Sequence, residues 1–258
     1  MEFSIASGVA MIKGAFYPAV GAHSPCMIIC HGMPAGPKSS EFAKDDLIAE
    51  LSYAEIAQLF ADLGIATVIF NFRGTGLSTG DYHPLGGVAD LESVLAWVVT
   101  RPEVDPERIG IMGSSMGGVI ALKVASSRED IRFLISYASP SSTTSPADPL
   151  VHIERYRSLG IITTPGFPDD PEVWSKEYDA INPVYHIDKI NSSHILLVHG
   201  DADDVVPVQA LYDLAGIAPA HTELRVIEGA GHRFRSEPRA IEVISSWVDG
   251  IFSDELTV

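Results

Sequence analysis

Apolar residues along this chain fall into two alternating patterns. Short runs such as Cys26–Cys30 and Ala66–Phe72 are apolar almost throughout, as expected of strands buried on both faces. Between the runs lie stretches with helical spacing. Ile56, Leu59, Phe60 and Leu63 share one face of Tyr53–Leu63, and Leu91, Val94, Leu95 and Val98 share another. Ile241, Ile244, Trp247, Val248 and Ile251 mark a last helix near the end of the chain. Gly64 is placed to cap the first helix and Pro102 to stop the second. Glu2–Ser7 and Val9–Tyr17, separated by Gly8, predict an opening antiparallel pair of strands. Arg108–Met112, Phe133–Ala138, Ile195–His199 and Glu223–Ile227 complete the strand set. This alternation suits right-handed crossovers, so it predicts an α/β fold with a mostly parallel central sheet flanked by helices on both faces.

One stretch breaks the rhythm. Ser139–Lys189 is rich in Pro, Ser and Thr, with Arg155–Leu159 and Glu172–Tyr178 as its best helical segments. A strand-free segment of that length inside a compact domain is usually functional. It is expected to be a small lid, residues 139–189, within a single domain of residues 1–258; a disordered loop is the alternative.

Composition narrows the classes. The chain has 258 residues, 46% of them hydrophobic and 20% charged, which fits a globular protein. Asp and Glu outnumber Lys and Arg by 34 to 17, a net charge of −17 with no basic block, which argues against nucleic acid and anionic membranes as partners. No apolar run is long enough to span a bilayer, and the first residues lack the pattern of a signal peptide. Cys26 and Cys30 lie on one predicted strand, roughly 13 Å apart at about 3.3 Å per residue, too far to form a disulfide. Two unpaired core cysteines point to a reducing compartment, and the cytoplasm is the expectation.

The chemistry gathers where strands end. Arg108–Met112 runs into Gly113-Ser114-Ser115-Met116-Gly117, and a small-residue helix candidate, Gly118–Ala125, follows. A G-x-S-x-G turn between strand and helix is the sequence form of a nucleophile elbow, and its glycine spacing centres Ser115 rather than Ser114. A serine hydroxyl needs a base oriented by a carboxylate. Asp201, Asp203 and Asp204 all follow the strand ending near Val198, and His232 follows the one ending near Ile227. The order Ser, Asp, His is the one found when these groups are mounted on such a sheet. His31 and His199 each precede a glycine at a strand end and read as loop anchors. No H-E-x-x-H or spaced Cys/His set is present, so a metal is not implied.

These segments together resemble an α/β-hydrolase fold serine hydrolase. The residues that carry the resemblance are His31-Gly32-Met33-Pro34, Asn71-Phe72-Arg73-Gly74-Thr75-Gly76-Leu77-Ser78, the elbow, Gly200-x-x-Asp203-x-x-Val206-Pro207 and Gly231-His232. They span nearly the whole chain outside 139–189. The resemblance implies Ser115 as nucleophile, Asp203 as the orienting acid and His232 as base, with Asp201 and Asp204 left as turn or capping residues. It implies an oxyanion hole from the backbone N–H groups of Met33 and Met116, and a purely structural turn around Arg73. A carboxylic ester of modest size is the expected substrate, as in dienelactone-hydrolase-like and feruloyl-esterase-like proteins. A peptidase of the prolyl-oligopeptidase type is the runner-up. The same triad also serves thioesterases and C–C bond hydrolases, and a non-catalytic binder of small molecules is the reading from a different class. Phe167, Trp174 and Tyr178 either line an acyl or aromatic pocket or pack the lid on to the core. No cofactor, nucleic acid or membrane is implied, and the oligomeric state, homodimer included, stays open.

Overall fold

The apolar runs assemble into one eight-stranded sheet in a computed structural model that describes residues 1–21, 23–34 and 51–255. β1 (Glu2–Ser7) and β2 (Ala10–Tyr17) form the expected antiparallel pair, and β2 is also antiparallel to β4 (Ala66–Phe70). β3 (Ser24–Cys30), β5 (Val104–Ser114), β6 (Phe133–Tyr137), β7 (His194–Gly200) and β8 (Glu223–Ile227) continue the sheet. The spatial order is β1-β2-β4-β3-β5-β6-β7-β8, and every pairing from β4 to β8 is parallel.

Both faces of the central strands are covered, which is why β3, β4, β6 and β7 read as apolar runs, whereas the edge strands β1 and β8 are largely exposed. Along β3, Cys26, Ile28 and Cys30 point into one core, and Met27 and Ile29 into the other. The first core is closed by α2 (Pro84–Val98), α3 (Met116–Ala125) and α6 (Gln209–Ala215). The second is closed by α1 (Tyr53–Asp62) and α7 (Pro238–Glu255). Both thiols are free and buried. Among the described residues no helix is long and apolar enough to cross a membrane.

Local chemistry sets the helix ends. Ser52 and Glu55 form a reciprocal capping box at the start of α1, and Gly64 lies just past its end with φ +87°. α2 begins well before its apolar stripe, at Pro84, and ends at Val98 before Pro102 is reached. β5 likewise begins earlier than the expected Arg108.

Between β6 and β7 the chain makes a helical insertion. It holds α4 (Pro149–Ser158), α5 (Pro171–Ala180) and two single-turn 3₁₀ segments, Pro183–Tyr185 and Ile187–Lys189. Both α-helices start on an Asp-Pro pair. The Asp148 and Asp170 carboxylates each accept two backbone N–H groups of the first turn. The insertion has a core of its own: Tyr82, Ile153, Tyr156, Ile161, Ile162, Trp174 and Tyr178. Its rings meet edge to face, Tyr156 at 5.7 Å and Tyr178 at 5.4 Å from Trp174. Tyr82 belongs to the loop between β4 and α2, so this cluster also fastens the insertion to the body of the protein. The Tyr82 N–H donates to the Ile161 carbonyl (2.9 Å), and neighbouring Asp81 accepts the N–H groups of Thr163 (2.5 Å) and Thr164 (2.9 Å).

Candidate active site

Ser115 sits between the end of β5 and the start of α3 with φ 53° and ψ −122°, a left-handed conformation that costs a non-glycine residue about 1–3 kcal/mol. The flanking glycines let the turn close. A β-carbon on Gly113 would stand 2.5 Å from the Gly117 carbonyl oxygen, and one on Gly117 would strike the carbonyl oxygens of Cys30 and His31. Ser114 ends β5 and is buried, so the half-buried Ser115 is the hydroxyl presented at the sheet edge.

His232 meets that hydroxyl. Its Nε2 lies 3.1 Å from Ser115 Oγ, and its Nδ1 lies 2.8 Å from Asp203 Oδ2. A carboxylate can only accept here, so Nδ1 carries the proton and Nε2 presents its lone pair to the serine O–H. The Asp203 side chain is fully buried and its acceptor sites are filled. Oδ1 takes the N–H groups of Val205 (2.9 Å) and Val206 (2.8 Å), and Oδ2 also lies 3.2 Å from Nε2 of His199. That nitrogen donates to the Val206 carbonyl at 2.9 Å as well, so His199 braces the loop that carries the acid. Such a set of donors offsets the cost of burying a polar side chain. Of the competing aspartates, Asp201 instead accepts the Gly229 N–H at 2.6 Å, and Asp204 is exposed.

The third side of the site is the turn after β3. The His31 ring donates from Nδ1 to the Gly32 carbonyl (2.6 Å), and its Nε2 accepts the Phe72 N–H (3.1 Å). A trans peptide carries its C=O and N–H on opposite sides, so holding the Gly32 carbonyl against His31 turns the Met33 N–H the other way. Met116 opens α3, where backbone N–H groups lack helical partners. The side chains of Met33 and Met116 pack against the aromatic cluster of the insertion.

Within that cluster Trp174 and Tyr178 are 2% and 6% exposed, and the Tyr156 and Tyr178 hydroxyls are hydrogen-bonded at 2.7 Å. Burial, with the neighbouring Tyr82 and Tyr156 adding to it, pushes the Tyr178 phenol far above its usual range. Of the two roles open to them, packing of the insertion is the one this burial fits. Phe167 lies at the cluster's edge, 6.0 Å from the His83 ring.

Arg73 is buried against Asp90 (2.8 Å) and contacts Ser7 and His83, so its turn is held in a structural network. Among the described residues no three His, Cys, Asp or Glu side chains gather as a metal site.

One residue at the site had no sequence signal. The Tyr137 carbonyl accepts the Ser115 N–H at 2.9 Å, and its hydroxyl donates to the Gly231 carbonyl at 3.1 Å. It lies in an apolar strand run, where a tyrosine reads as core.

Comparison with known proteins agrees with this architecture. A family model described as the prolyl oligopeptidase family matches residues 51–253. An uncharacterized protein of Mycobacterium tuberculosis, Rv2307c, is 26% identical over 225 residues, covering 86% of this chain and 68% of that protein. An alpha-beta serine hydrolase homologue from Coxiella burnetii is 25% identical and superposes with a TM-score of 0.61 over 96% of this chain and 95% of its own. Est1E from Butyrivibrio proteoclasticus, solved with ferulic acid bound, has a TM-score of 0.71 at 20% identity, covering 99% of this chain and all (100%) of its own. The fold is the α/β-hydrolase fold.

Proposed function

The chain belongs to the prolyl oligopeptidase family, and on that premise we propose that Ser115 is its nucleophile, His232 its general base and Asp203 the acid that orients the base. The enzyme is a serine hydrolase, and carboxylic esters are its substrates. The observation that carries this reading is the unbroken relay from Ser115 Oγ to His232 (3.1 Å) and on to Asp203 (2.8 Å).

In the reaction His232 Nε2 takes the hydroxyl proton as Ser115 Oγ attacks the ester carbonyl carbon. Asp203 holds the ring and stabilises the imidazolium. The N–H groups of Met33 and Met116 receive the oxyanion, a contribution typically worth about 3 kcal/mol per donor. The tetrahedral intermediate collapses, the C–O bond to the alcohol breaks, and His232 returns the proton to the leaving oxygen. Water deprotonated by His232 then attacks the acyl-enzyme, releasing the acid and restoring Ser115.

Residues 139–189 act as a lid within one domain, and the packing of Met33 and Met116 against its aromatic cluster supports that reading. A small-molecule ester is the substrate class, and the ferulic acid bound to Est1E supports an acid of modest size as product. The free, buried Cys26 and Cys30 suit a reducing, cytoplasmic setting. Family membership favours one second reading, cleavage of a peptide or aminoacyl amide by the same residues.

A fluorophosphonate probe tests the assignment. Mass spectrometry is expected to place the adduct on Ser115, with Ser115→Ala folded, unlabelled and inactive. Folded wild-type protein that takes no label would sink the enzyme reading in favour of a binder. A panel of p-nitrophenyl esters of rising chain length, methyl ferulate and an aminoacyl amide separates esterase from peptidase.

A further inference from the structure

We propose that Tyr137 is a positioning residue that sets the separation of Ser115 and His232 by holding both of their backbones at once. The inference rests on the catalytic roles assigned above and adds to them a residue that touches neither the substrate nor the reacting atoms.

Three contacts carry it. The Tyr137 carbonyl accepts the N–H of Ser115 at 2.9 Å, which fixes the strained elbow residue itself. The Tyr137 hydroxyl donates to the carbonyl of Gly231 at 3.1 Å, one residue before His232. The Tyr137 ring lies 5.2 Å from the ring of Phe234, two residues after His232. His232 is thus gripped on both sides by one side chain whose main chain is tied to the nucleophile.

Topology makes this useful. Ser115 follows β5, His232 follows β8, and β6 and β7 lie between those strands in the sheet. Apart from the Ser115–His232–Asp203 contacts themselves, the loop after β8 is tied to the loop after β7, where Asp201 accepts the Gly229 N–H and Ala230 accepts the Ala202 N–H, and Tyr137 adds a tie that reaches the elbow. A tyrosine at the end of β6 spans that gap with a rigid ring that has two rotatable bonds and a single hydroxyl at its tip. The ring is fully buried, in the same core as Ala230 and Phe234. Burial, reinforced by the negative charges of Glu237 and Asp203, pushes the phenol far above its usual range, so it remains a donor at any working pH. Misplacement by about 1 Å can cost on the order of 100-fold in rate, so a small drift of the imidazole is enough to matter.

The test is Tyr137→Phe, which deletes one oxygen and keeps the ring. The expected result is a kcat for p-nitrophenyl acetate lower by about 10- to 100-fold at unchanged KM, and fluorophosphonate labelling slowed in proportion. A spectroscopic readout needs no substrate: the downfield Nδ1–H proton resonance of His232, assigned by its loss in His232→Gln, is expected to shift or broaden. That signal keeps the two ideas separable. Wild-type protein that hydrolyses no ester would overturn the function, while a moved resonance in Tyr137→Phe would still support the positioning role. Replacement by 4-aminophenylalanine, which restores a donor at the ring tip, is expected to recover most of the lost kcat. Wild-type kcat and an unmoved resonance overturn the proposal. So does a rise in KM alone, which would assign the hydroxyl to substrate binding. If Tyr137→Phe does not fold, Phe234→Leu loosens the other half of the grip: a severalfold loss of kcat at constant KM supports the proposal, and unchanged kcat overturns it.

Discussion

Gly32 lies tightly against Ser115: a β-carbon there would stand 3.1 Å from Ser115 Cβ and 3.3 Å from the Ser114 carbonyl oxygen. The turn that carries the Met33 N–H and the turn that carries Ser115 are therefore in direct contact. Gly32→Ala forces them apart by a few tenths of an ångström. Oxyanion donors act only within about 2.7–3.1 Å of the oxygen, so a fall in kcat of about 10- to 100-fold is expected, with the thermal midpoint nearly unchanged. Steady-state kinetics beside a melting curve checks this; full activity would remove Met33 from the proposed oxyanion hole.

The two neighbouring aspartates give a paired comparison. Asp203→Asn alters the partner of the imidazole N–H and is expected to lower kcat by roughly 10⁴-fold with the fold kept. Asp201→Asn retains an oxygen for the Gly229 N–H and is expected to stay within a fewfold of wild type. Similar losses in both variants would show that Asp203 is not specially placed.

His199 is 1% exposed and donates into the loop that carries the acid. His199→Leu leaves the Val206 carbonyl and one side of the Asp203 carboxylate short of a donor. A loss of about 1–3 kcal/mol in denaturant unfolding is expected, together with a drop in kcat smaller than that of His232→Ala. Unfolding free energy at the wild-type value would mean that the histidine braces nothing.

Asp81 supplies a pH dependence. Partial burial works to raise its pKa, but the hydrogen bonds from Thr164 and Thr163 outweigh this and hold the carboxyl below its usual value. A depressed folded-state pKa stabilises above the unfolded value, about 3.9 for aspartate, and that contribution fades as pH falls through the folded value. The tether between the insertion and the β4–α2 loop should thus hold at neutral pH and slacken in acid. Hydrogen exchange of residues 159–167 from about pH 6 to about pH 3 is expected to show added opening in wild type, beyond the intrinsic pH effect. Asp81→Asn should lose that increment; an identical response in both proteins would contradict the assignment.

What could be read from the chain follows from how each signal arises. Strands β3 to β7 and the α1 and α7 helices were legible because burial on a sheet writes itself as apolar runs and helical stripes. Ser115, Asp203 and His232 were legible because glycines and strand ends mark them. The start of α2 was not: Gly86 and Gly87 are poor helix formers, and Asp90 reads as surface although it is buried under Arg73. The first helix of the insertion was expected at Arg155–Leu159 although it starts at Pro149, because its start depends on an Asp-Pro cap rather than on apolar spacing; Glu172–Tyr178 falls inside α5 and misses only its ends. α6 and the two 3₁₀ turns are too short to leave a periodic trace. Trp174 and Tyr178 kept two readings, since composition cannot say whether an aromatic faces a ligand or a neighbouring ring. The grip of Tyr137 on Gly231 joins residues far apart in sequence, and no local pattern encodes it.

The insertion leaves the sheet at β6 and returns at β7, two strands paired directly from Phe133–Tyr137 to His194–Val198. Its ends are thus already held side by side by the ladder, and doubling the length of such a segment costs only about 0.6 kcal/mol in closure entropy. Residues between those strands can be exchanged, lengthened or shuffled between relatives while the register that brings Ser115, Asp203 and His232 together stays untouched. A replacement would need to meet the ties offered by Asp81 and Tyr82, by His83 and the Leu85 N–H to Glu177, and by the main core that takes Ile187 and Ile190. If the insertion is the lid proposed above, selection of substrate and the geometry of Ser115, Asp203 and His232 sit on separable parts of one chain.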